Sequence, residues 1–402
     1  MDAAVGRPGY YNPAVPVTLG TSRLLESGRL RGRRVGIVAN PASVDRGLHH
    51  IVDLLLADPR VQVGAIFGPQ HGFRSDVQDN MIETPHATDP MRKVPVYSLY
   101  SETREPTAEM LRGLDVVVID LQDIGARIYT YVYTMANCLR ACARHGVDVI
   151  VCDRPNPIGG ADVEGPMLEE GCESFVGQYP IPMRHGMTIG ELAQMFNEHF
   201  GIGARLEVVE LEGWRRSMYA DEAGAPWVMP SPNIPTLDSA IVYPGTVLFE
   251  GTNASEGRGT TRPFELIGAP WVMAERFAAA MTARALPGVH FRPAVFEPTF
   301  QKHARTTCGG CQIHVTDRRA FKPVRTGVAL IDEVRAADPG AFAWRRPPYE
   351  YEHDKEPIDI LAGSPALRAA IDAGVRAEAL APHWARDMEP FLALRRRFLR
   401  YD

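Results

Sequence analysis

Polar side chains that can transfer protons or bind charged ligands collect in four short segments, each directly after an apolar run. The segments are Asn40, Gly-Pro-Gln-His-Gly-Phe-Arg at 68–74, Asp-Leu-Gln-Asp at 120–123 and Asp-Arg-Pro-Asn at 153–156. Carboxyl, imidazole and guanidinium groups perform general acid–base chemistry and hold anions. Taken singly, any of these residues could instead cap a helix or form a structural ion pair. Their convergence would make a ligand site.

The apolar runs predict the strands that position these groups. Runs at 35–40, 63–67, 115–121 and 148–152 have the composition of buried strands, and the run at 94–99 predicts a weaker, edge strand. Helical spacing appears between them at 47–57 and 125–144, and Pro106 predicts the start of a short helix. Strands that alternate with helices form a parallel sheet, whose carboxyl ends share one ligand-binding edge.

The predicted fold class is α/β, with a Rossmann-like parallel sheet domain and a second, smaller α/β domain. We predict an N-terminal extension at 1–32, a catalytic domain with long loops at 33–265, and the smaller domain at 266–402. Thr188 and Glu191 have the spacing of a capping box at the start of a helix. The last region predicts helices at 274–286, 325–336 and 384–400, with strands at 291–297 and 312–317.

Composition excludes several classes of partner. The net charge of -6 and the pI near 6.1 argue against nucleic-acid and membrane-surface partners. No apolar run has the length of a membrane span, and residues 1–20 contain no secretory h-region, so a cytoplasmic location is expected. Six cysteines do not make a disulfide scaffold, and free buried thiols are expected. The sequence does not determine an oligomeric state.

No cofactor or metal motif stands out. The first strand is not followed by Gly-x-Gly-x-x-Gly, and the P-loop signature is missing. The Cys-Gly-Gly-Cys-Gln-Ile-His stretch at 308–314 contains no second ligand pair, and Cys311 and His314 would point to opposite faces of a strand. A metal site is therefore not expected there.

Several long motifs resemble a known family. They read GPQHGFR at 68–74, DLQDIGARIYTY at 120–131, DRPNPIGG at 153–160, VEGP at 163–166, RHGMTIGEL at 184–192 and EGTNASEGRGTTRPFE at 250–265. This set is similar to that of bacterial exo-acting β-N-acetylmuramidases, which release N-acetylmuramic acid from the non-reducing ends of peptidoglycan fragments. The resemblance covers residues 33 to 400. It implies a hydrolase of cell-wall recycling, with a cleft between two domains, a small sugar or muropeptide substrate and no cofactor.

The chain departs from the family at one position. Typical members read GPEHG, whereas this chain has Gln70, and glutamine does not transfer protons at ordinary pH. They also carry a glutamate slightly downstream, where this chain offers Asp79 and Glu83 in the polar loop 75–90. Glycoside cleavage commonly uses two carboxyl groups, one with a raised pKa. We therefore predict Glu83 as the acid, with Asp120 or Asp123 as a base or as a group that orients His71.

The remaining site residues are predicted to bind substrate, with Arg154 or Arg184 holding the lactyl carboxylate of a muramyl sugar. The full predicted binding set is Gln70, Arg74, Gln122, Arg127, Tyr129, Asp153, Arg154, Asn156, Glu164, Arg184, His185, Asn233, Asn253, Glu256 and Arg258. Two alternatives use the same region. One is a metal-assisted hydrolase built on His71, Asp120, Asp123 and Asp153, and the other is a sugar-binding protein without catalysis.

Overall fold

A computed structural model describes residues 17–79 and 81–402. The strands of these residues are β1 (Arg34–Ala39), β2 (Gln62–Gly68), β3 (Ala87–Thr88), β4 (Pro95–Ser98), β5 (Val116–Asp120), β6 (Asp148–Cys152), β7 (Glu164–Met167), β8 (Pro182–Arg184), β9 (Leu206–Val209), β10 (Leu266–Ala269), β11 (Val289–Phe296) and β12 (Cys308–Val315).

The helices flank these strands and fill the C-terminal third. They are α1 (Gly20–Ser27), α2 (Ile51–Leu56), α3 (Tyr131–His145), α4 (Ile189–Glu198), α5 (Leu237–Thr246), a 3₁₀ helix at Val247–Gly251, α6 (Ala274–Ala283), α7 (Pro323–Ala337), α8 (Pro357–Ala362), α9 (Ala366–Asp372), α10 (Ala377–Asp387) and α11 (Glu389–Arg395). None of the helices described has both the length and the apolar character that crossing a bilayer requires.

The larger sheet has the order β3-β4-β2-β1-β5-β6-β9, and every pairing is parallel except that of β3 with β4. β5 is buried along its whole length. Val118 packs with the core on the α1 and α2 side, and Val117 packs with the core on the α3 and α4 side. A strand covered on both faces needs apolar residues at every position, which explains its continuous apolar run. The predicted α/β class is confirmed.

The smaller domain is built on an antiparallel sheet of order β10-β12-β11, with α6 and α7 packed against it and against each other and α5 packed against α7. α5 and α7 approach closely because Gly245 and Gly327 face each other, and a Cβ on Gly327 would lie 2.2 Å from the Gly245 carbonyl oxygen. Cys311 is buried on β12, and the six cysteines are free, as predicted.

Helix ends differ from prediction for identifiable reasons. The helix predicted from Pro106 is wrong: residues 108–113 form turns, and Gly113 has a φ of 74°. A stretch this short offers too few hydrogen bonds to offset helix nucleation. α3 starts at Tyr131 instead of 125, because the Arg127 N–H donates to the Met183 carbonyl and therefore takes no part in helical hydrogen bonding. The predicted helix 384–400 is two helices, α10 and α11, and Pro390 lies in the first turn of the second.

Both ends of the described chain pack on the sheet. α1 contacts β6 and β9, so much of the predicted extension 1–32 belongs to the sheet layer, while its residues 1–16 lie outside the described residues. The Tyr401 hydroxyl donates to Asp153 at the carboxyl end of β6. The capping box of α4 is confirmed, since Thr188 Oγ1 accepts from Glu191 N and the Glu191 carboxylate accepts from Thr188 N.

Candidate active site

A cleft of about 460 Å³ opens between the carboxyl edge of the large sheet and the C-terminal half of the chain. The sheet side contributes the turn after β2 and the segment 128–131 before α3. The opposite wall comes from the segment 231–234, from Tyr243 of α5, and from Glu250, Arg258 and Glu350.

The Gly-Pro-Gln-His-Gly turn sets two side chains into this cleft. Gly68 is required because a Cβ there would lie 2.5 Å from the Phe73 nitrogen, and Gly72 has a φ of 81° that favours glycine. The sharp turn leaves Gln70 and His71 lining the cleft. His71 itself has a φ of 70°, a backbone conformation uncommon for a residue with a Cβ.

His71 is held as a neutral imidazole. Its Nδ1 lies 2.8 Å from the Val77 carbonyl oxygen, so Nδ1–H donates to that oxygen and Nε2 is the acceptor. Burial, and to a smaller extent the nearby Arg258, lower the pKa of His71 to about 4, although the hydrogen bond to Val77 acts in the opposite direction. A neutral imidazole near pH 7 can accept a hydrogen bond from a ligand but cannot supply a charge to it.

Glu350 contacts both walls of the cleft. Its Oε1 lies 3.3 Å from Gln70 Nε2, and its Oε2 accepts from the Tyr100 hydroxyl at 2.8 Å. Burial raises the pKa of Glu350 to about 7, and the nearby carboxylate of Glu250 also raises it, whereas the Tyr100 and Gln70 hydrogen bonds act in the opposite direction. The group therefore loses its proton close to neutral pH.

Glu250 is the second carboxyl group of the cleft, and its environment lowers its pKa. Arg258 Nη2 lies 2.6 Å from its Oε1, and the Tyr349 hydroxyl donates to its Oε2 at 2.7 Å. Burial alone would raise the pKa of Glu250, but the Arg258 charge and these hydrogen bonds outweigh burial and hold the pKa below its ordinary value. The two neighbouring carboxyl groups are thus set to different protonation states at neutral pH, the arrangement used by acid–base pairs.

Five residues predicted from the sequence line this cleft. They come from four separate parts of the chain, and they are Gln70, His71, Tyr129, Asn233 and Arg258. Among them, Arg258 Nη1 and Asn233 Oδ1 are buried and form no hydrogen bond with any described residue. These atoms are placed to bind a ligand.

Glu83, the predicted acid, is not among the residues that line the cleft. Its side chain is 50% exposed and pairs with Arg104 Nη2 at 3.4 Å. Its Oε1 also accepts from the hydroxyl of Tyr351, the neighbour of Glu350, at 3.2 Å. Its catalytic role stays a prediction, and its position is less suited to proton donation than that of Glu350.

Asp120 and Arg154 form a buried ion pair rather than lining the cleft. Two hydrogen bonds join the side chains, with Arg154 Nε 2.5 Å from Asp120 Oδ1 and Nη2 2.9 Å from Oδ2. Arg154 and Gln122 border a different, more apolar pocket that contains Trp227. Both carboxylate oxygens of Asp120 are occupied by its arginine, which leaves it poorly placed to act as a base.

The other predicted carboxylates of the sheet edge also have internal partners. Asp123 Oδ2 accepts from Gly125 N at 2.8 Å and lies 3.3 Å from His185 Nε2. Asp153 accepts from Thr188 Oγ1 and Gly190 N, both at 2.8 Å, at the start of α4. Burial raises the pKa of Asp153 to about 6.

These placements bear on the metal-assisted alternative. His71, Asp120, Asp123 and Asp153 have separate partners, and the described residues contain no group of three or more candidate ligands arranged to hold a metal ion. The ligand set proposed for that alternative is therefore not assembled.

The remaining predicted binding residues contact backbone atoms or buried charges. Arg74 lies 3.5 Å from Asp89, Arg127 donates to the Ala362 carbonyl at the end of α8, and Glu256 pairs with Lys302. The others bond mainly backbone groups, and they are Gln122, Asn156, Glu164, Arg184 and Asn253. Their roles in binding stay predictions.

Glu350, Tyr349, Tyr100 and the role of Glu250 were not predicted from the sequence. Glu250 stands in the EGTN motif used for the resemblance and could have been found there. Glu350 lies in the sequence Pro-Pro-Tyr-Glu-Tyr-Glu, which has no spacing signal. Only the folding of residues 347–352 against the turn after β2 places it in the cleft.

Comparison with known proteins identifies relatives along nearly the whole chain. The family model for the N-terminal part of the exo-β-N-acetylmuramidase NamZ matches residues 35–238, and the model for its C-terminal part matches 241–401. The boundary predicted at 265 stays a prediction. The peptidoglycan β-N-acetylmuramidase NamZ of Bacillus subtilis (strain 168) is 45% identical over 373 residues, which cover 93% of this chain and 88% of that protein.

Solved structures show the same fold. A DUF1343 family protein from Bacteroides fragilis aligns with a TM-score of 0.87 and 36% identity, over 97% of this chain and 100% of the other. A second one from the same organism aligns with a TM-score of 0.75 and 27% identity, over 96% and 99% of the two chains. The resemblance inferred from the motifs is confirmed, and the chain belongs to the exo-β-N-acetylmuramidase NamZ family.

Proposed function

We propose that this protein hydrolyses the β-glycosidic bond of a terminal N-acetylmuramic acid residue in fragments derived from peptidoglycan. The observation that carries the proposal is the pair of buried carboxyl groups, Glu350 and Glu250, whose pKa values are moved in opposite directions inside one cleft. Glycosidases need one carboxyl group that holds a proton and another group that stabilises developing positive charge. Family membership supports the same reaction.

The unpartnered polar atoms of the cleft suit the substituents of a muramyl sugar. Arg258 Nη1 is a buried cationic donor with no protein partner among the described residues, and it can bind the lactyl carboxylate. Asn233 Oδ1 is an unpartnered acceptor that can bind the acetamido N–H. Glucosamine derivatives lack the lactyl carboxylate, so they would leave Arg258 Nη1 desolvated and unpaired, at a cost in affinity.

The proposal is tested by sugar release from a chromogenic β-N-acetylmuramide beside the matching β-N-acetylglucosaminide. We expect release from the muramide and little from the glucosaminide. Equal release from both would contradict the role of Arg258, and no release from any muramyl glycoside by folded protein would refute the proposed reaction.

A further inference from the structure

We propose that Glu350 is the general acid of this enzyme, which delivers a proton to the glycosidic oxygen as the bond to C1 breaks. The inference rests on the proposed function and assigns a catalytic role to a residue that has none so far. Four observations support it: the backbone that presents Glu350, the direction of its hydrogen bonds, its charged neighbours, and the state of the other carboxyl groups near the cleft.

The backbone around Glu350 is held in a conformation that side chains rarely adopt. Glu350 has a φ of 44° and Tyr351 a φ of 69°. The turn is closed by two backbone hydrogen bonds of 2.9 Å, from Tyr349 N to Glu352 O and from Glu352 N to Tyr349 O. Such conformations persist where the surroundings enforce them, and they concentrate at functional sites. Here the turn places Glu350 in the wall of the cleft while Tyr349 contacts Glu250.

The hydrogen bonds around Glu350 leave its own proton available to a ligand. Tyr100 donates to Oε2, and Gln70 Nε2 donates to Oε1. The orientation of the Gln70 amide follows from Thr130 Oγ1, which donates to Gln70 Oε1 at 2.8 Å and turns the NH₂ group toward Glu350. Both side-chain partners of Glu350 are therefore donors. The NH₂ group of Gln70 cannot accept a hydrogen bond, so a proton on Glu350 Oε1 can be directed to a substrate oxygen in the cleft.

The groups that face Glu350 favour the protonated form near neutral pH. Burial of the carboxyl group is the largest influence, and its exposed fraction is 3%. The Glu250 carboxylate also raises its pKa, while Arg258 and the hydrogen bonds from Tyr100 and Gln70 lower it. The hydroxyls of Tyr243 and Tyr349 interact electrostatically with Glu350. Their pKa values are raised well above the usual range, so both stay neutral.

Other carboxyl groups are less suited to this role. Glu250 is held ionised by Arg258. Asp120 is fully buried in its pair with Arg154. Glu83 is half exposed and does not line the cleft. Among the residues that line the cleft, Glu350 is the carboxyl group that still holds a proton near pH 7.

The step balances without a co-reactant other than water. The C1–O bond breaks with its electron pair on the leaving oxygen, and that oxygen takes the proton of the Glu350 carboxyl group. Water forms the new bond to C1, and the proton that water loses returns to the Glu350 carboxylate. Ionised Glu250 remains unchanged and stabilises the positive charge that develops at C1.

The test compares E350Q with E352Q, a control that changes a carboxylate two residues away whose nearest cation is Lys355 on the surface. Each variant is assayed on a muramyl disaccharide, whose sugar leaving group needs a proton, and on 2,4-dinitrophenyl β-N-acetylmuramide, whose leaving group does not. For E350Q we expect kcat/KM on the disaccharide to fall by about 10²–10⁴-fold, with a far smaller loss on the dinitrophenyl substrate. E352Q should match the wild type on both. Equal losses on both substrates, or no loss on either, would overturn the assignment.

A second measurement keeps the inference testable if E350Q does not fold. In the wild-type enzyme, activity on the disaccharide should decline above pH 7, whereas activity on the dinitrophenyl substrate should not. The same pH profile on both substrates would overturn the inference. A wild-type enzyme inactive on every β-muramide would instead refute the proposed function, so the two failures are distinguishable.

Discussion

Gln70 Nε2 donates to Glu350 Oε1 over 3.3 Å, although the two residues stand 280 positions apart in the chain. The contact joins the turn after β2 to the far wall of the cleft. It also gives Gln70 a defined place in the chemistry, since its amide orients the carboxyl group without transferring a proton. The proton-transfer function that glutamine cannot perform at position 70 is supplied from position 350.

Replacing Gln70 with glutamate should shift the pH dependence of the reaction. A second carboxyl group within hydrogen-bond reach of Glu350 would share a proton with it, and two adjacent carboxyl groups cannot both ionise readily. We expect the alkaline decline of kcat/KM in Q70E to move upward by about one pH unit or more. The pH–rate profile on a muramyl disaccharide measures this, with Q62E at the exposed start of β2 as control. An unmoved profile would show that the two groups do not interact.

E350Q should stabilise the folded protein at alkaline pH. The pKa of Glu350 is raised from an ordinary value of 4.5 to about 7 by burial. Between these values the folded state binds more protons than the unfolded state, so wild-type stability falls as pH rises from 4.5 to 7. Glutamine does not ionise, so E350Q does not lose stability in this pH range. The advantage of E350Q over the wild type should therefore be larger at pH 8 than at pH 5 by about 3 kcal/mol, from the size of the shift. Urea unfolding at both pH values measures it, and a difference independent of pH would contradict the assignment.

Y401F should destabilise the protein most at alkaline pH. The Tyr401 hydroxyl donates to Asp153, whose pKa burial raises to about 6. Above pH 6 the buried Asp153 is ionised, and loss of one donor to it costs about 1–3 kcal/mol. Below pH 6 Asp153 is neutral, and the loss of a hydrogen-bond donor to a neutral carboxyl group costs less stability. The free energy of unfolding at pH 8 and pH 5 reports the difference, and an equal cost at both would indicate that only packing was lost.

G363A should be far more disruptive than G374A. Both glycines have positive φ, 79° and 76°, so both substitutions introduce the same backbone strain. A Cβ on Gly374 would meet nothing within 4 Å, whereas a Cβ on Gly363 would lie 2.6 Å from Arg127 Nη1. We expect about 1–2 kcal/mol from strain in G374A and several times that in G363A. Thermal unfolding of the two variants separates strain from steric clash, and equal shifts would show that Arg127 yields easily.

The central sheet was largely predictable from the sequence because its strands are buried on both faces. The runs at 35–40, 63–67 and 148–152 correspond to β1, β2 and β6 within about one residue at each end. A continuous apolar run that stands between segments with helical spacing fits few structures other than a buried strand. Elements that depend on a neighbour were not predictable. α3 begins late because Arg127 N bonds Met183 O, a contact made by residues 56 positions away.

The candidate site was predictable only on its sheet side. Gln70 and His71 follow a buried strand, so the carboxyl-edge argument placed them correctly in the cleft. The same argument also selected Asp120 and Asp153, whose partners turned out to be Arg154 and the start of α4. Proximity to the edge does not determine which side chains face the ligand. Glu350 could not be found because its position depends on the fold of the C-terminal half.

Arg127 limits how freely the two regions of this family can be exchanged. Its guanidinium is fully buried on the sheet side of the molecule, and its Nη2 donates to the carbonyls of Leu361 and Ala362 at the end of α8. A chimaera could join this N-terminal region to a C-terminal region that lacks matching carbonyls. It would leave the buried Arg127 cation without hydrogen-bond acceptors, at a cost comparable to the stability of many domains. Recombination within the family should therefore succeed only where both regions come from compatible parents.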